Sequence, residues 1–216
     1  MTDATPSDAA MTYAIGDLHG EITLLRQLLD ILPFSVEDTL VFLGDYLDRG
    51  EDSLATVLEL IALQRRHRRC VFLRGNHEDA WLSHWNGASF KGPPDIEGAL
   101  DVWDNCNGQI PFIVGDWLEE TYIEYEDEYA YYVHAGLAPG RSSQHTSPLL
   151  KMWGAAGFLE SDYDWGKPVV FGHWSLAAPL LQPNKIGVDT GAYKHGILTA
   201  IRLPDQRLFT AKRPLQ

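Results

Sequence analysis

Apolar positions fall into two kinds of pattern, and in the first half of the chain the two kinds take turns. Residues 11–15 form a short apolar run, residues 22–32 carry Ile and Leu at helical spacing, and Pro33 closes that second segment because proline cannot continue a helix. The pattern then repeats. Residues 39–43 predict a second strand, 53–64 a second helix, 70–73 a third strand and 78–85 a further helix. Such alternation predicts a βαβαβ unit.

The second half changes character. Residues 91–115 contain Gly-Pro-Pro, Trp103 and Pro111, and predict a loop followed by a short helical insertion. Strand-like runs then dominate: 121–125 and 129–133 as a hairpin, followed by 169–171, 185–188, 197–203 and 208–211. An α/β half followed by a β half predicts an α/β protein with two packed sheets and helices outside, a two-sheet β-sandwich in α/β/β/α layers.

Length and composition narrow this picture. A chain of 216 residues, 45% hydrophobic, suffices for the core of one compact domain, expected over residues 11–216. Residues 1–10 are rich in Asp, Ser, Thr, Ala and Pro, have neither a basic stretch nor an apolar core of the signal-peptide kind, and read as a short disordered leader. Apolar runs fall far short of the roughly 20 residues needed to cross a bilayer. A cytoplasmic protein without a membrane partner is the expectation.

Cys70 and Cys106 fit neither a disulfide framework nor a zinc spacing. The formal charge of −13 repels nucleic acid and anionic membranes, so no nucleic-acid partner is expected. The basic run Arg65, Arg66, Arg68 and Arg69 ends a predicted helix, where cations complement the helix dipole. The acidic run at 119–128 reads as a solvated strand edge and turn.

Candidate chemistry gathers where the first three strands end. The following loops are Gly16-Asp17-Leu18-His19-Gly20, Gly44-Asp45-Tyr46-Leu47-Asp48-Arg49-Gly50 and Gly75-Asn76-His77-Glu78. Ligands of α/β sheets bind at the carboxyl ends of strands, so the three loops should converge on one rim. Their glycines permit tight turns and close backbone approach, and Asp, His and Asn supply oxygen and imidazole donors for divalent cations. Taken singly, Asp17 reads equally well as a helix cap, Asp45 as a turn former, and His134 as a satisfied core histidine. Together, buried Asp17, Asp45 and Asp48 would need a counter-charge that metals supply.

These three motifs, followed by Val133-His134-Ala135-Gly136, Phe171-Gly172-His173 and Val188-Asp189-Thr190-Gly191, resemble the phosphoprotein-phosphatase branch of the calcineurin-like metallophosphoesterases. The resemblance implies a site of two divalent metal ions, manganese first, with iron, zinc or cobalt as alternatives. Asp17 and His19 would hold the first metal, Asp45 would bridge both, and Asn76, His134 and His173 would complete the second. His77 would be the catalytic acid, Asp48 would orient it, and Arg49 would grip the phosphate. Two cations about 3.5 to 4 Å apart share a water, lower its pKa and neutralise phosphoryl charge during direct in-line attack. On its own, Arg49 also reads as a structural ion pair with Asp48 or Glu51.

The pattern breaks at one place. Relatives in this branch often carry a second phosphate-binding arginine within Trp-x-Arg-x-x-Phe-Leu, and here Ala155 stands at the arginine position of Trp153-Gly154-Ala155-Ala156-Gly157-Phe158-Leu159. Arg141, Lys151 and Lys167 are the candidate substitutes. Among the remaining histidines, His67 and His145 are expected at the surface, His84 half-buried, and His195 near the substrate rim only as a minor reading. Trp174, directly after His173, is the aromatic side chain to test.

The function this implies is a metal-dependent phosphoesterase of the serine/threonine protein phosphatase type, acting on phosphorylated protein or a small phosphate ester. Symmetrical diadenosine tetraphosphate hydrolases share the motif series and are the alternative. A catalytically dead binding module is the non-enzyme reading, and the intact motifs oppose it.

Overall fold

The computed structural model of the chain describes residues 10–214. Most of the expected leader lies outside the described residues. Strands β1 (Thr12–Ile15), β2 (Thr39–Phe42) and β3 (Cys70–Phe72) alternate with helices α1 (Ile22–Ile31) and α2 (Ser53–Arg66), as the periodicity predicts. Helix α3 (Asn76–Ser83) begins two residues earlier than expected, which places Asn76 and His77 in its first turn. The 91–115 segment is more ordered than its Gly-Pro-Pro suggests: α4 (Ala99–Asn105) is followed by α5 (Phe112–Glu119). The expected hairpin forms from β4 (Glu124–Glu126) and β5 (Tyr131–Val133). Helix α6 (Pro148–Trp153) went unforeseen, although Ser147 caps it through Leu150 N and Pro148 takes its first position. The chain continues through β6 (Val169–Phe171), β7 (Leu180–Leu181), β8 (Lys185–Gly187), α7 (Ala192–His195), β9 (Ile197–Leu203) and β10 (Arg207–Lys212).

Two five-stranded sheets result, in the orders β10-β9-β1-β2-β3 and β4-β5-β6-β8-β7. The division does not follow the two halves of the chain, because β9 pairs antiparallel with β1 and carries β10 into the first sheet. Each sheet contains three adjacent parallel strands: β1, β2 and β3, ending at an edge, in one, and the central β5, β6 and β8 in the other.

The two-residue period of the strands separates the layers. Tyr13, Ile15, Leu40 and Phe42 face α1 and α2, where Leu24, Leu25, Leu28, Val57 and Leu60 cover them. Their neighbours Ala14, Val41 and Leu43 face the other way and meet Tyr132, Val170 and Ile186 of the second sheet. On the far side of that sheet Val133, Val169 and Phe171 pack beneath Phe158 and Trp165. Each fully buried Leu, Val or Phe of these layers contributes about 1.5–3 kcal/mol. Among the described residues no helix is long and apolar enough to cross a membrane.

His67 departs from expectation. It is buried rather than exposed, because the chain turns inward after Arg66: its Nε2 lies 2.9 Å from the Asp38 carbonyl oxygen and its ring meets Phe34 edge-on. The basic run otherwise behaves as read, with Arg65 and Arg66 in the last turn of α2.

Candidate metal centre and active site

The parallel strands of both sheets deliver their carboxyl ends to one rim, and every loop singled out from the sequence lies there. The loops are laced together by backbone. Leu18 N and His19 N donate to Asp45 O at 3.0 and 2.8 Å, and Gly172 N donates to His134 O at 2.8 Å, joining β5 to β6. The Asp17 carboxylate is held from the second sheet by His173 N, at 3.1 and 2.9 Å to its two oxygens.

Five of the six residues expected to bind metal, His19, Asp45, Asn76, His134 and His173, fall into two groups that share Asp45, while the Asp17 carboxylate is fixed by His173 N. One Asp45 oxygen lies 3.5 Å from His19 Nε2, and the other lies 3.4 Å from His134 Nε2. Asn76 Oδ1 lies 3.1 Å from His134 Nε2 and 2.9 Å from His173 Nδ1. Ligand atoms of His19, Asp45 and His77 lie within 4.8 Å of one another, as do those of Asp45, His134 and His173. His77 is thus brought into the first group alongside Asp45.

The imidazoles are pre-set as lone-pair donors. His19 Nδ1 is 2.9 Å from Leu47 O and His134 Nδ1 is 2.8 Å from Leu43 O; a ring N–H donating to a carbonyl fixes the tautomer and turns the Nε2 lone pair towards Asp45. Burial pulls His19 down to about 3 and His173 down to about 4, and lowers His134 as well, so neutral rings prevail at neutral pH. Burial, then the charges of Asp189 and Asp45, raises Asp17 well above the usual carboxylate range. Burial also raises Asp189, to about 6, against an opposing hydrogen bond from Gly191 N.

This donor set fits divalent cations. Mixed imidazole, carboxylate and amide groups converge on a buried spot, and packing Asp17, Asp45 and Asp189 there without a counter-charge would be costly. The backbone leaves room for the carboxylates: a Cβ at Gly172 would overlap the Asp17 carboxylate, and one at Gly75 would overlap that of Asp45. The buried Nε2 of His77 has no hydrogen-bond partner.

On the other ring nitrogen, His77 Nδ1 lies 2.6 Å from Asp48 Oδ2, and Trp81 Nε1 donates to both Asp48 oxygens. Arg49 lies at the outer edge. Its Nη1 is 2.8 Å from His19 Nε2, and its guanidinium sits 4.9 Å above the Tyr193 ring. Its ion pair is with Glu97, Nε to Oε2 at 3.1 Å, rather than with Asp48 or Glu51.

Backbone strain marks the same place. Seven described non-glycine residues have φ in the left-handed region, and five of them are His19, Asp45, Asp48, Arg49 and His173. Each costs on the order of 1–3 kcal/mol, a cost that persists where the surrounding structure holds the residue at a functional site.

Several contributors escaped the sequence reading. Glu78 accepts from Asp45 N at 2.7 Å, Tyr46 N at 2.8 Å and Gly75 N at 2.9 Å, welding the second loop to the third. Its place in Gly-Asn-His-Glu was the available signal. Trp81 lies one helical turn beyond His77, which puts both on one face of α3. Glu97 and Tyr193 carried no signal, since each reaches the site from a segment distant in sequence.

Both lysines that could stand in for the absent second arginine are paired with glutamates. Ala155 is buried, Lys151 Nζ bonds Glu124 at 2.7 Å, and Lys167 Nζ bonds Glu126 at 2.7 Å. Arg141 is exposed on the turn that Ala138 O closes. Trp174 is half-buried, with its indole N–H donating to Ala135 O at 2.9 Å and its ring 4.9 Å from that of His173.

The chain is similar to several proteins named as phosphoesterases. A symmetrical bis(5'-nucleosyl)-tetraphosphatase of Nitrosomonas europaea is 28% identical, over 92% of this chain and 97% of its own length. A solved structure described as a candidate diadenosine tetraphosphatase superposes with a TM-score of 0.73 at 22% identity, covering 98% of this chain and 97% of that one. A protein serine/threonine phosphatase from Saccharomyces cerevisiae shares the fold with a TM-score of 0.68 at 15% identity, over 96% of this chain and 81% of its own. The sequence pattern of the calcineurin-like phosphoesterases matches residues 11–179, and this chain therefore belongs to that family of metal-dependent hydrolases.

Proposed function

We propose that the protein hydrolyses phosphate monoesters, phosphorylated serine or threonine side chains among them, with two divalent cations held by Asp17, His19, Asp45, Asn76, His134 and His173. The observation that carries this reading is the pair of donor groups sharing Asp45, with His77 beside them. Bound cations, manganese first, would neutralise phosphoryl charge and make a water acidic enough to attack at neutral pH. The residues supply the rest. Asp45 joins the two halves of the centre, and the Leu47 and Leu43 carbonyls keep the His19 and His134 rings aimed inward.

His77 is the proton donor to the departing oxygen. Burial lowers its pKa, but the charge of Asp45 and the bond to Asp48 raise it further, leaving it above the ordinary value. The protonated imidazole is thereby favoured, and its Nε2 is free of a hydrogen-bond partner. Arg49 offers a planar fork for the non-bridging oxygens. Its neighbours Glu97, Glu51 and Asp52 make that wall acidic, which suits a single phosphoryl group better than a polyphosphate chain.

A second reading, hydrolysis of dinucleoside polyphosphates, is favoured by the end-to-end similarity to a tetraphosphatase. Purified protein with manganese should hydrolyse p-nitrophenyl phosphate, and Asp45→Asn or chelation should abolish the activity. Activity that survives both treatments refutes the dinuclear centre. Phosphopeptide and diadenosine tetraphosphate assayed side by side decide between the two substrates.

A further inference from the structure

Arg49 already has a charged partner within the protein. Glu97 arrives on the loop before α4 and places Oε2 3.1 Å from Arg49 Nε; its side chain is 71% exposed, whereas that of Arg49 is 21% exposed. The approach depends on Gly98. This residue has φ 88°, and a Cβ there would collide with the Arg49 backbone nitrogen, so the loop lies directly against the arginine. Tyr193 covers the guanidinium from α7. The arginine is therefore held between a carboxylate and an aromatic ring.

The surroundings reinforce the effect. A groove of about 630 Å³ opens from Arg49 between α2 and α4, and its charged lining is Arg49 against Glu51, Asp52 and Asp101. An anionic group that extended from the phosphate subsite along this wall would meet carboxylates rather than cations.

We infer that Glu97 is a specificity-determining residue: paired with Arg49, it limits the phosphate-gripping wall to a single phosphoryl group and disfavours substrates that carry further phosphates. This rests on the reading of Arg49 as the phosphate grip, and it names what decides between the two substrate classes. An arginine with a resident carboxylate neighbour still donates to one phosphate through its remaining N–H groups. Each additional phosphate brings like charge close to Glu97, a repulsion that is moderate and salt-dependent because that carboxylate is exposed.

The test compares the manganese-loaded wild type with Glu97→Gln and Arg49→Lys. It reads KM and kcat for p-nitrophenyl phosphate, the competitive inhibition constant of diadenosine tetraphosphate against that substrate, and the calorimetric affinity of the same dinucleotide. Glu97→Gln should tighten the dinucleotide constant by about tenfold, a loss of repulsion typical of one close charge pair. KM for the monoester should shift less than the dinucleotide constant, by no more than about threefold, and bound manganese should stay at the wild-type level. Added salt should narrow the difference between the dinucleotide constants. Equal shifts for both ligands, or none, while Arg49→Lys still raises KM, overturn the inference and leave the proposed function standing. If Arg49→Lys alters neither constant, Arg49 does not grip phosphate and the premise falls with the inference.

Discussion

His77 Nδ1 stands 2.6 Å from Asp48 Oδ2, and neither side chain has any solvent exposure. Trp81 completes this buried unit by donating to both carboxylate oxygens. A carboxylate in this position fixes the ring and favours its protonated form, the form that can donate to a leaving group. Asp48→Asn keeps the shape but removes the charge. It should lower kcat by about 100-fold, within the range for general acid catalysis, while bound manganese stays unchanged. The sign of the pH effect follows from the raised pKa of His77. Activity that needs the protonated ring is retained to higher pH than for an ordinary histidine and falls as pH rises through that value, and Asp48→Asn should move this basic limb to lower pH. A kcat–pH profile together with metal analysis checks both points.

His67 offers a contrast, a buried histidine away from the chemistry. Its Nε2 pairs with Asp38 O, and its ring packs on Phe34. His67→Ala leaves that carbonyl without its partner and opens a void, so it should destabilise the fold by about 1–3 kcal/mol. Both kcat and KM should stay at wild-type values. Denaturant unfolding and steady-state kinetics, measured on the same preparation, test the separation.

The burial of His67 could not be read from the sequence, because its four arginine neighbours set the local average while its environment is supplied by Phe34 and Asp38 across a turn. The same distinction runs through the rest of the chain. Helices α1 and α2 and strands β1 to β3 were legible because one face of each is apolar at a fixed period, and that face meets the core. The pairing of β9 with β1 was not, since register between strands so far apart in the chain leaves no local mark. At the site, Asp17, His19, Asp45, Asn76, His77, His134 and His173 were legible because the chemistry lies in loop motifs. Glu97 and Tyr193 act through contacts made only when distant segments meet. Helix α6 was a missed signal of the ordinary kind, Ser147 followed by Pro148.

Lys151 is tied to Glu124, and Ser143 Oγ also bonds that carboxylate. Burial pushes the Glu124 carboxyl up, but the bonds from Lys151 and Ser143 outweigh it and hold it below its ordinary value. A depressed carboxyl contributes stability above the unfolded-state pKa and loses it as pH falls through the folded-state value. Glu124→Gln should therefore lower the melting temperature at pH 7, by an amount corresponding to about 1 kcal/mol or less because the carboxylate is partly exposed. The gap should close as pH drops below the carboxylate range. KM for a phosphate ester should not change, since neither Glu124 nor Lys151 is among the groups around Asp45, His77 and Arg49. Calorimetric melts from pH 7 down to pH 3 read the stability, and a lowered KM, the result expected if the released ammonium reached the substrate, would return Lys151 to the phosphate site.

Gly172 tests the metal centre without touching a donor atom. It links β6 to His173, its N–H bonds His134 O, and its Cα faces Asp17 so closely that a Cβ would overlap the Asp17 carboxylate. No left-handed backbone is required here, so Gly172→Ala acts through that overlap alone rather than through strain of its own. The Asp17 carboxylate, held by the His173 N–H, must shift away from the two donor groups or push β6 outward. The expected result is at least a tenfold weaker manganese affinity, in line with the loss on disturbing groups that orient metal ligands. Secondary structure should persist, because the change lies at the rim and leaves the three apolar layers intact. Manganese titration followed by circular dichroism and p-nitrophenyl phosphate turnover reads each part, and activity should recover at high manganese if Asp17 is displaced rather than lost. Undiminished manganese affinity would show that Asp17 is not a ligand and would move the first metal onto His19, Asp45 and His77.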